Sequence, residues 1–384
     1  MSFKIINPNM QLNFQINRVL TYGELACDEA EVTKKTAQIT TLDEWETVWT
    51  EMGDGAESRG EYLRAAYAFR MAEFFLKKNN PHKEELYNKC IKHFYAAFDN
   101  LKLQYERQAI PFENGTLNCI KLRAEKAKGS IIVCGGYDSF IEEFVLQVSP
   151  FTERGYDVIL FEGPGQGDCL RQKMYFRSDY EKPAAAVLDF YKLHKCAMVG
   201  ISWGGFFAMR CAAFEPRITA AVAYDVMDDG FEVMTGVFPP PLNSIFRLLY
   251  AVKGVRAVNF LIGKIRKRSI IADWAVSQGM YITGTDSPYE FYSSLREHNL
   301  KDISGQITQD VLLLAGERDH YIPRNQFHRL KLRLPNTHSL TSRLFTEAEG
   351  GEQHCQIGNI PLAVNTILDW LDERFTPNGG EVMR

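Results

Sequence analysis

Four short, β-rich apolar runs constrain this chain more than any other feature: Ser130–Cys134, Asp157–Phe161, Cys196–Ile201 and Ile218–Tyr224, each followed by glycine or acidic residues. Two more come later, Val311–Ala315 and Arg343–Thr346, and helical patterns such as Tyr180–His194 and Phe206–Phe214 separate the runs. A strand that is apolar on both faces must be covered on both faces. Apolar strands alternating with helices therefore imply a mostly parallel sheet with helices on either side. In such sheets ligands bind at the carboxyl ends of the strands, which is where the reactive residue types of this chain fall.

Around this α/β core the pattern changes. From Leu42 to about Asn100 aromatic residues recur at helical spacing, among them Trp45, Trp49, Phe69 and Phe74, so the spacing predicts a helical block. Glu106–Pro111 and Leu117–Leu122 alternate in polarity around Glu113-Asn114-Gly115, a hairpin signal. Between Tyr224 and Val311 the strand rhythm stops, and aromatic-rich helical stretches replace it: Ile245–Val252, Ala257–Ile265, Ile271–Tyr281 and Pro288–His298. The expected organisation is a helical N-terminal domain over 1–105, core over 106–225, an inserted helical cap over 226–306, and core again over 307–384. Cap and N-terminal block are expected to enclose the substrate together.

Composition narrows the function classes. With 384 residues the chain is long enough for one large core and an added domain, and a formal charge of -4 argues against a dedicated nucleic-acid binder. Residues Met1 to Leu20 alternate in polarity and lack the apolar centre of a signal peptide, and no run is long enough for a membrane helix. The eight cysteines stand far apart without a C-x-x-C pair, which suggests buried reduced thiols in a cytoplasmic protein. Zinc-ligand spacing is missing too, so no metal is expected.

Gly200-Ile201-Ser202-Trp203-Gly204 fits G-x-S-x-G, with a strand ending at the motif and a helix starting after it. That context makes Ser202 the candidate nucleophile of a strained strand-to-helix turn. The oxyanion formed on attack needs two backbone N–H donors. One is expected from Trp203. The other should come from the Gly135-Gly136-Tyr137 loop after an earlier strand, from either Gly136 or Tyr137. Of eight histidines, His354 follows the last strand, and Asp319 ends the penultimate one, giving the chain order Ser, acid, His. Asp225, at the end of Ile218–Tyr224, is the rival acid; His320 is expected to be exposed.

Phe161-Glu162-Gly163-Pro164-Gly165-Gln166-Gly167, Asp179-Tyr180-Glu181, Gly200–Gly205 and Ala212-Ala213-Phe214-Glu215-Pro216-Arg217 together resemble the dihydroxypseudooxynicotine hydrolase group of the α/β-hydrolase superfamily. They are equally similar to the related fungal polyketide-tailoring hydrolases, such as the yellowish-green pigment hydrolase, and to FrsA-like relatives. The resemblance spans nearly the whole chain. It implies an α/β-hydrolase fold with helical N-terminal domain and cap, a buried chamber for a small molecule, no cofactor, and a homodimer. It also implies hydrolysis of a carbon–carbon bond beside a ketone, or trimming or ring closure of a polyketide, with the triad at Ser202, Asp319 and His354. Carbon–carbon cleavage would also engage an acidic proton donor near the chamber, for which Asp225, Asp228, Asp229 and Glu232 are candidates. A carboxylesterase, lactonase or thioesterase with the same triad is the competing enzyme; a ligand-binding protein without turnover is the competing class. Lys253, Arg256, Lys264, Arg266, Lys267 and Arg268 read as a solvated helix face, or more sharply as a dock for an acidic acyl-carrier domain.

Overall fold

The computed structural model describes residues 2–375. Among the described residues, eight strands form one sheet: β1 Tyr105–Phe112, β2 Gly115–Leu122, β3 Gly129–Cys134, β4 Tyr156–Phe161, β5 Cys196–Ile201, β6 Ile218–Tyr224, β7 Asp310–Gly316 and β8 Ser339–Phe345. Their spatial order is β1-β2-β4-β3-β5-β6-β7-β8. β1 and β2 form the antiparallel hairpin expected from Glu113-Asn114-Gly115, with Phe112 opposite Gly115 and Glu113 in the left-handed region. β2 pairs antiparallel with β4, and every later pairing is parallel. The central strand β5 is buried along its whole length, while β1, at the sheet edge, is largely exposed. Register matches Cys134 to Gly200, Ile201 to Tyr224 and Tyr224 to Leu314. The carboxyl ends of β3, β5, β6 and β7 therefore lie side by side, and the candidate residues sit on the turns that leave them.

The chain divides into two compact units. One contains the sheet. The other runs to Leu103 and also takes in Ile245–Tyr281 and Thr285–Phe291, so the inserted segment is shared between the units, with 226–244 grouped with the sheet. The reason lies in the aromatic residues of the helix Ile270–Thr283: the Trp274 indole donates to Phe74 O at 3.2 Å and packs against Phe75 with ring centroids 4.8 Å apart. Asp273 adds ion pairs to Lys77 and Arg266.

Two helices precede the helical block that aromatic spacing reveals, Met10–Thr21 and Glu29–Thr36. The first escapes a periodicity argument because it buries amides. Asn13 accepts from the N–H groups of Ile6 and Asn7 at 2.8 and 3.0 Å, and Asn17 accepts from Lys4 N at 2.8 Å. Later helices follow ordinary rules: Leu42–Ser58 starts in a Thr41–Glu44 capping box. In Tyr62–Phe74, Arg70 and the adjacent Lys83 share the buried carboxylate of Glu73 at 2.6 and 2.7 Å. Seven of the eight cysteines are buried thiols and Cys355 is half-buried. Among the described residues no helix is long and apolar enough to cross a membrane.

Candidate active site

β5 delivers Ser202 into a turn that ordinary residues avoid. Its φ is 62°, in the left-handed region, and its N–H donates to Tyr224 O at 2.6 Å. Two glycines make the turn possible. A Cβ on Gly200 would collide with the backbone of Gly204, and one on Gly205 would collide with the carbonyl oxygen of Asp225. The helix Gly204–Phe214 thus packs directly against β5 and β6 and holds the serine hydroxyl at the sheet's carboxyl edge.

The hydroxyl meets His354. Ser202 Oγ lies 2.8 Å from His354 Nε2, and His354 Nδ1 lies 2.7 Å from Asp319 Oδ2. The other Asp319 oxygen accepts the N–H groups of Tyr321 and Ile322 at 2.8 and 2.9 Å, so the Tyr321-Ile322-Pro323 turn orients the carboxylate. Burial opposes charge on both groups. For Asp319 the His354 charge and the hydrogen bonds outweigh it and hold the carboxyl below its usual range; for His354 the Asp319 carboxylate outweighs it and raises the imidazole well above its usual value. Both directions favour the ion pair of an Asp319 carboxylate with a His354 imidazolium, the state His354 enters on taking a proton. In the neutral ring with its proton on Nδ1, the Nε2 lone pair faces Ser202 and can take its hydroxyl proton.

Asp225 also reaches the histidine, from behind. Its Oδ2 is 3.5 Å from His354 Nδ1 and accepts Cys355 N at 2.7 Å, while Oδ1 accepts Gln356 Nε2 at 2.9 Å. The Tyr224 hydroxyl donates to Cys355 O at 3.0 Å. The end of β6 thereby fixes the loop that carries His354. Burial, and then the charge of Asp319, push the Asp225 carboxyl up to about 7. Among the described residues, Asp225, His354 and Cys355 are close enough to surround an ion, but the Asp225 oxygens are already engaged by this loop.

The other acidic candidates meet different partners. Asp228 is fully buried and ion-paired to Arg329 and Arg333; Asp229 caps the helix Gly230–Gly236 and takes Asn299 Nδ2 at 2.7 Å. Glu232 pairs with Arg329 at 2.7 Å. All three thus join a polar layer that includes arginines of and beside the helix Arg324–Leu332. His320 is half-buried, not exposed: burial lowers its pKa to about 4 and its ring packs on Tyr321. Lys253, Arg256, Lys264, Lys267 and Arg268 are exposed, whereas Arg266 is half-buried and binds Asp273 and Ser277.

On the other side of Ser202 the loop after β3 comes close. A Cβ on Gly136 would press into Trp203 N and Ser202 Cβ, so this glycine lets the loop approach the serine. The Trp203 indole donates to His298 Nδ1 at 2.9 Å, and His298 stacks on Phe176 with ring planes 5° apart. Burial, then the charge of Arg210, lowers the His298 pKa to about 3, which keeps Nδ1 an acceptor. Tyr137 packs against Trp203 and Phe176, and its buried hydroxyl has no hydrogen-bond partner among the described residues. His298 carried no sequence signal, since nothing local links it to a tryptophan so far back in the chain.

A mostly parallel sheet with this strand order and a serine at the tight turn after β5, facing His354 and Asp319, defines α/β-hydrolase architecture. The chain belongs to the alpha/beta hydrolase family, whose model matches residues 131–354. It is 30% identical to the alpha/beta hydrolase gkaG of Penicillium citrinum, covering 80% of this chain and 79% of that one. It is 27% identical to the hydrolase acrC of Aspergillus aculeatus, with 86% and 84% covered. Among solved structures, 2,6-dihydroxy-pseudo-oxynicotine hydrolase superposes with a TM-score of 0.70 at 20% identity, covering 94% of this chain and 95% of that one. AbyA5 superposes with a TM-score of 0.72 at 17% identity, covering 96% and 94%. These two likenesses concern the fold.

Proposed function

We propose that the protein is a serine hydrolase that cleaves a ketonic, polyketide-type small molecule at a carbon–carbon bond through an acyl-enzyme. The observation that carries the reading is the continuous chain of hydrogen bonds from Ser202 Oγ through His354 to Asp319, at 2.8 and 2.7 Å. His354 takes the Ser202 proton as Oγ attacks the carbonyl carbon. The negative charge that develops on the carbonyl oxygen is met by the N–H of Trp203 and that of Gly136 or Tyr137. Collapse breaks the bond to the leaving carbon, which departs with the electron pair as a carbanion delocalised into a neighbouring carbonyl or phenol ring and receives a proton from His354. Water, deprotonated by His354, then releases the acyl group as a carboxylic acid and restores Ser202.

Two features support an oxygen-rich, flat substrate over a simple ester. Tyr137, Phe176 and Trp203 pack into one aromatic cluster, and Trp203 directly follows the serine. The buried Tyr137 hydroxyl is a donor for which an oxygen of such a substrate is a suitable acceptor. The test compares kcat/KM for an aryl β-diketone, an ester of matched shape and p-nitrophenyl acetate, with Ser202→Ala as control. The diketone should be the best of the three, and Ser202→Ala should lose several orders of magnitude in turnover while keeping its fold. If the acetate is best, the protein is a carboxylesterase. A Ser202→Ala variant with a tenth of wild-type turnover removes the serine mechanism altogether.

A further inference from the structure

The glycine-rich turn Gly163-Pro164-Gly165-Gln166-Gly167 after β4 has no part in the triad, yet it holds a fully engaged buried amide. Gln166 is 1% exposed. Its Nε2 donates to two consecutive carbonyl oxygens of the loop after β3, Gly135 O at 2.9 Å and Gly136 O at 2.8 Å. Its Oε1 accepts the Gly163 N–H and the Tyr180 hydroxyl, both at 2.9 Å. An amide has two N–H donors and two lone pairs on oxygen, and here all four are used. The orientation of the amide is therefore decided by its partners: with oxygen and nitrogen exchanged, Nε2 would face a donor N–H and Oε1 two carbonyl oxygens.

The consequence follows from peptide planarity. In a trans peptide the C=O and the next N–H point in opposite directions. Drawing the carbonyls of Gly135 and Gly136 towards Gln166 turns the N–H groups of Gly136 and Tyr137 away from it, together and to one side. Successive backbone N–H groups gathered in this way form a concavity for negative charge. Gly136 sits against Trp203 N and Ser202 Cβ, so the loop that Gln166 grips is the loop that borders the serine. We propose that Gln166 is a positioning residue for the oxyanion site, acting through the Gly135 and Gly136 carbonyls to aim the second N–H donor beside that of Trp203. The rest of the turn supports the clamp. Gly163 has no room for a Cβ because the Tyr180 phenol lies there, and the Tyr180 ring stacks on Phe207 of the helix that follows Ser202, with centroids 3.8 Å apart. One buried amide thus joins the nucleophile helix, the oxyanion loop and the glycine-rich turn.

The inference rests on the serine-hydrolase reading, so the experiment separates the two. Wild-type protein is first labelled with a fluorophosphonate: absence of label on Ser202 defeats that reading and the clamp with it. Given labelling, Gln166→Met and Gln166→Glu are compared with wild type for kcat, KM, thermal unfolding and the affinity of an aryl boronic acid, which forms a tetrahedral adduct on serine. Gln166→Glu preserves side-chain volume and the acceptor for Gly163 and Tyr180, and serves where Gln166→Met does not fold. Both variants should lose about 10²–10³-fold in kcat, the effect of one misplaced oxyanion donor, with KM within about threefold and boronate affinity falling by the same factor as kcat. Tyr180→Phe leaves both Gln166 N–H groups in place and should keep boronate affinity within about threefold of wild type. The clamp is overturned by a folded Gln166 variant with kcat within threefold of wild type. It is equally overturned if kcat falls while boronate affinity is unchanged, or if Tyr180→Phe lowers boronate affinity a hundredfold.

Discussion

Replacing Asp319 by Asn tests how two carboxylates share one histidine. The substitution removes the charge 2.7 Å from His354 Nδ1 and leaves Asp225 Oδ2 3.5 Å from the same nitrogen. With a single carboxylate, this change in a serine triad costs about 10⁴-fold in kcat, or about 5.5 kcal/mol. Here a second carboxyl is at hand: Asp225, neutral in wild type below about pH 7, ionises more readily once the Asp319 charge that helps to raise it is gone. At an effective dielectric constant near 20, unit charges at these two separations are worth about 6 and about 5 kcal/mol, so the Coulomb loss is about 1 kcal/mol once Asp225 takes over. The charge-assisted hydrogen bond to Nδ1–H is lost as well, worth about 1.5–3 kcal/mol, because 3.5 Å is too long to replace it. The sum is about 3–4 kcal/mol, so Asp319→Asn should lower kcat by roughly 10²–10³-fold. Asp225→Asn alone should be milder, since the 2.7 Å bond persists, and the double variant should reach about 10⁴-fold. The assay is kcat on an activated ester below pH 7, where Asp225 is protonated in wild type, for all four proteins of the cycle. A full 10⁴-fold loss in Asp319→Asn, with no further loss on adding Asp225→Asn, would show that Asp225 gives the imidazolium no support.

Other substitutions probe the scaffold. Asp225 is raised from 3.8 to about 7 by burial and then by Asp319, so the folded state binds its proton more tightly than the unfolded chain does. Its contribution to stability is complete below pH 4 and is lost as pH rises to about 7; Asp225→Asn cannot ionise, so variant stability relative to wild type should climb across that window in urea melts, and a flat difference would contradict the assignment. Gly205→Ala drives a Cβ into the Asp225 carbonyl; destabilisation of about 1–3 kcal/mol is expected, and an unchanged Tm would argue against the tight packing of this turn. Glu73→Gln takes the charge from between buried Arg70 and Lys83 and should cost about 3–5 kcal/mol, read as a lower Tm; wild-type stability there would mean the cations find another counter-charge.

Several features were legible in the sequence because they are local. Apolar runs, a hairpin turn and a glycine-flanked serine each report on neighbours in the chain, and the strands β3 to β7 fall within a residue or so of their apolar runs. The start of β8 at Ser339 was hidden because that edge strand opens with polar residues. The helix Met10–Thr21 was hidden because Asn13, Gln15 and Asn17 are among its buried residues. The chain order Ser202, Asp319, His354 ranked the partners of the serine without measuring them. Tertiary structure alone decided that Asp319 lies at 2.7 Å and Asp225 at 3.5 Å from one nitrogen, since β6 and β7 are neighbours and both end beside the same loop. It also decided that Gln166 grips a loop thirty residues earlier in the chain, and that Trp203 bonds to His298 across ninety-five. Such contacts join side chains whose spacing carries no period, so they become visible when the sheet brings its strand ends together.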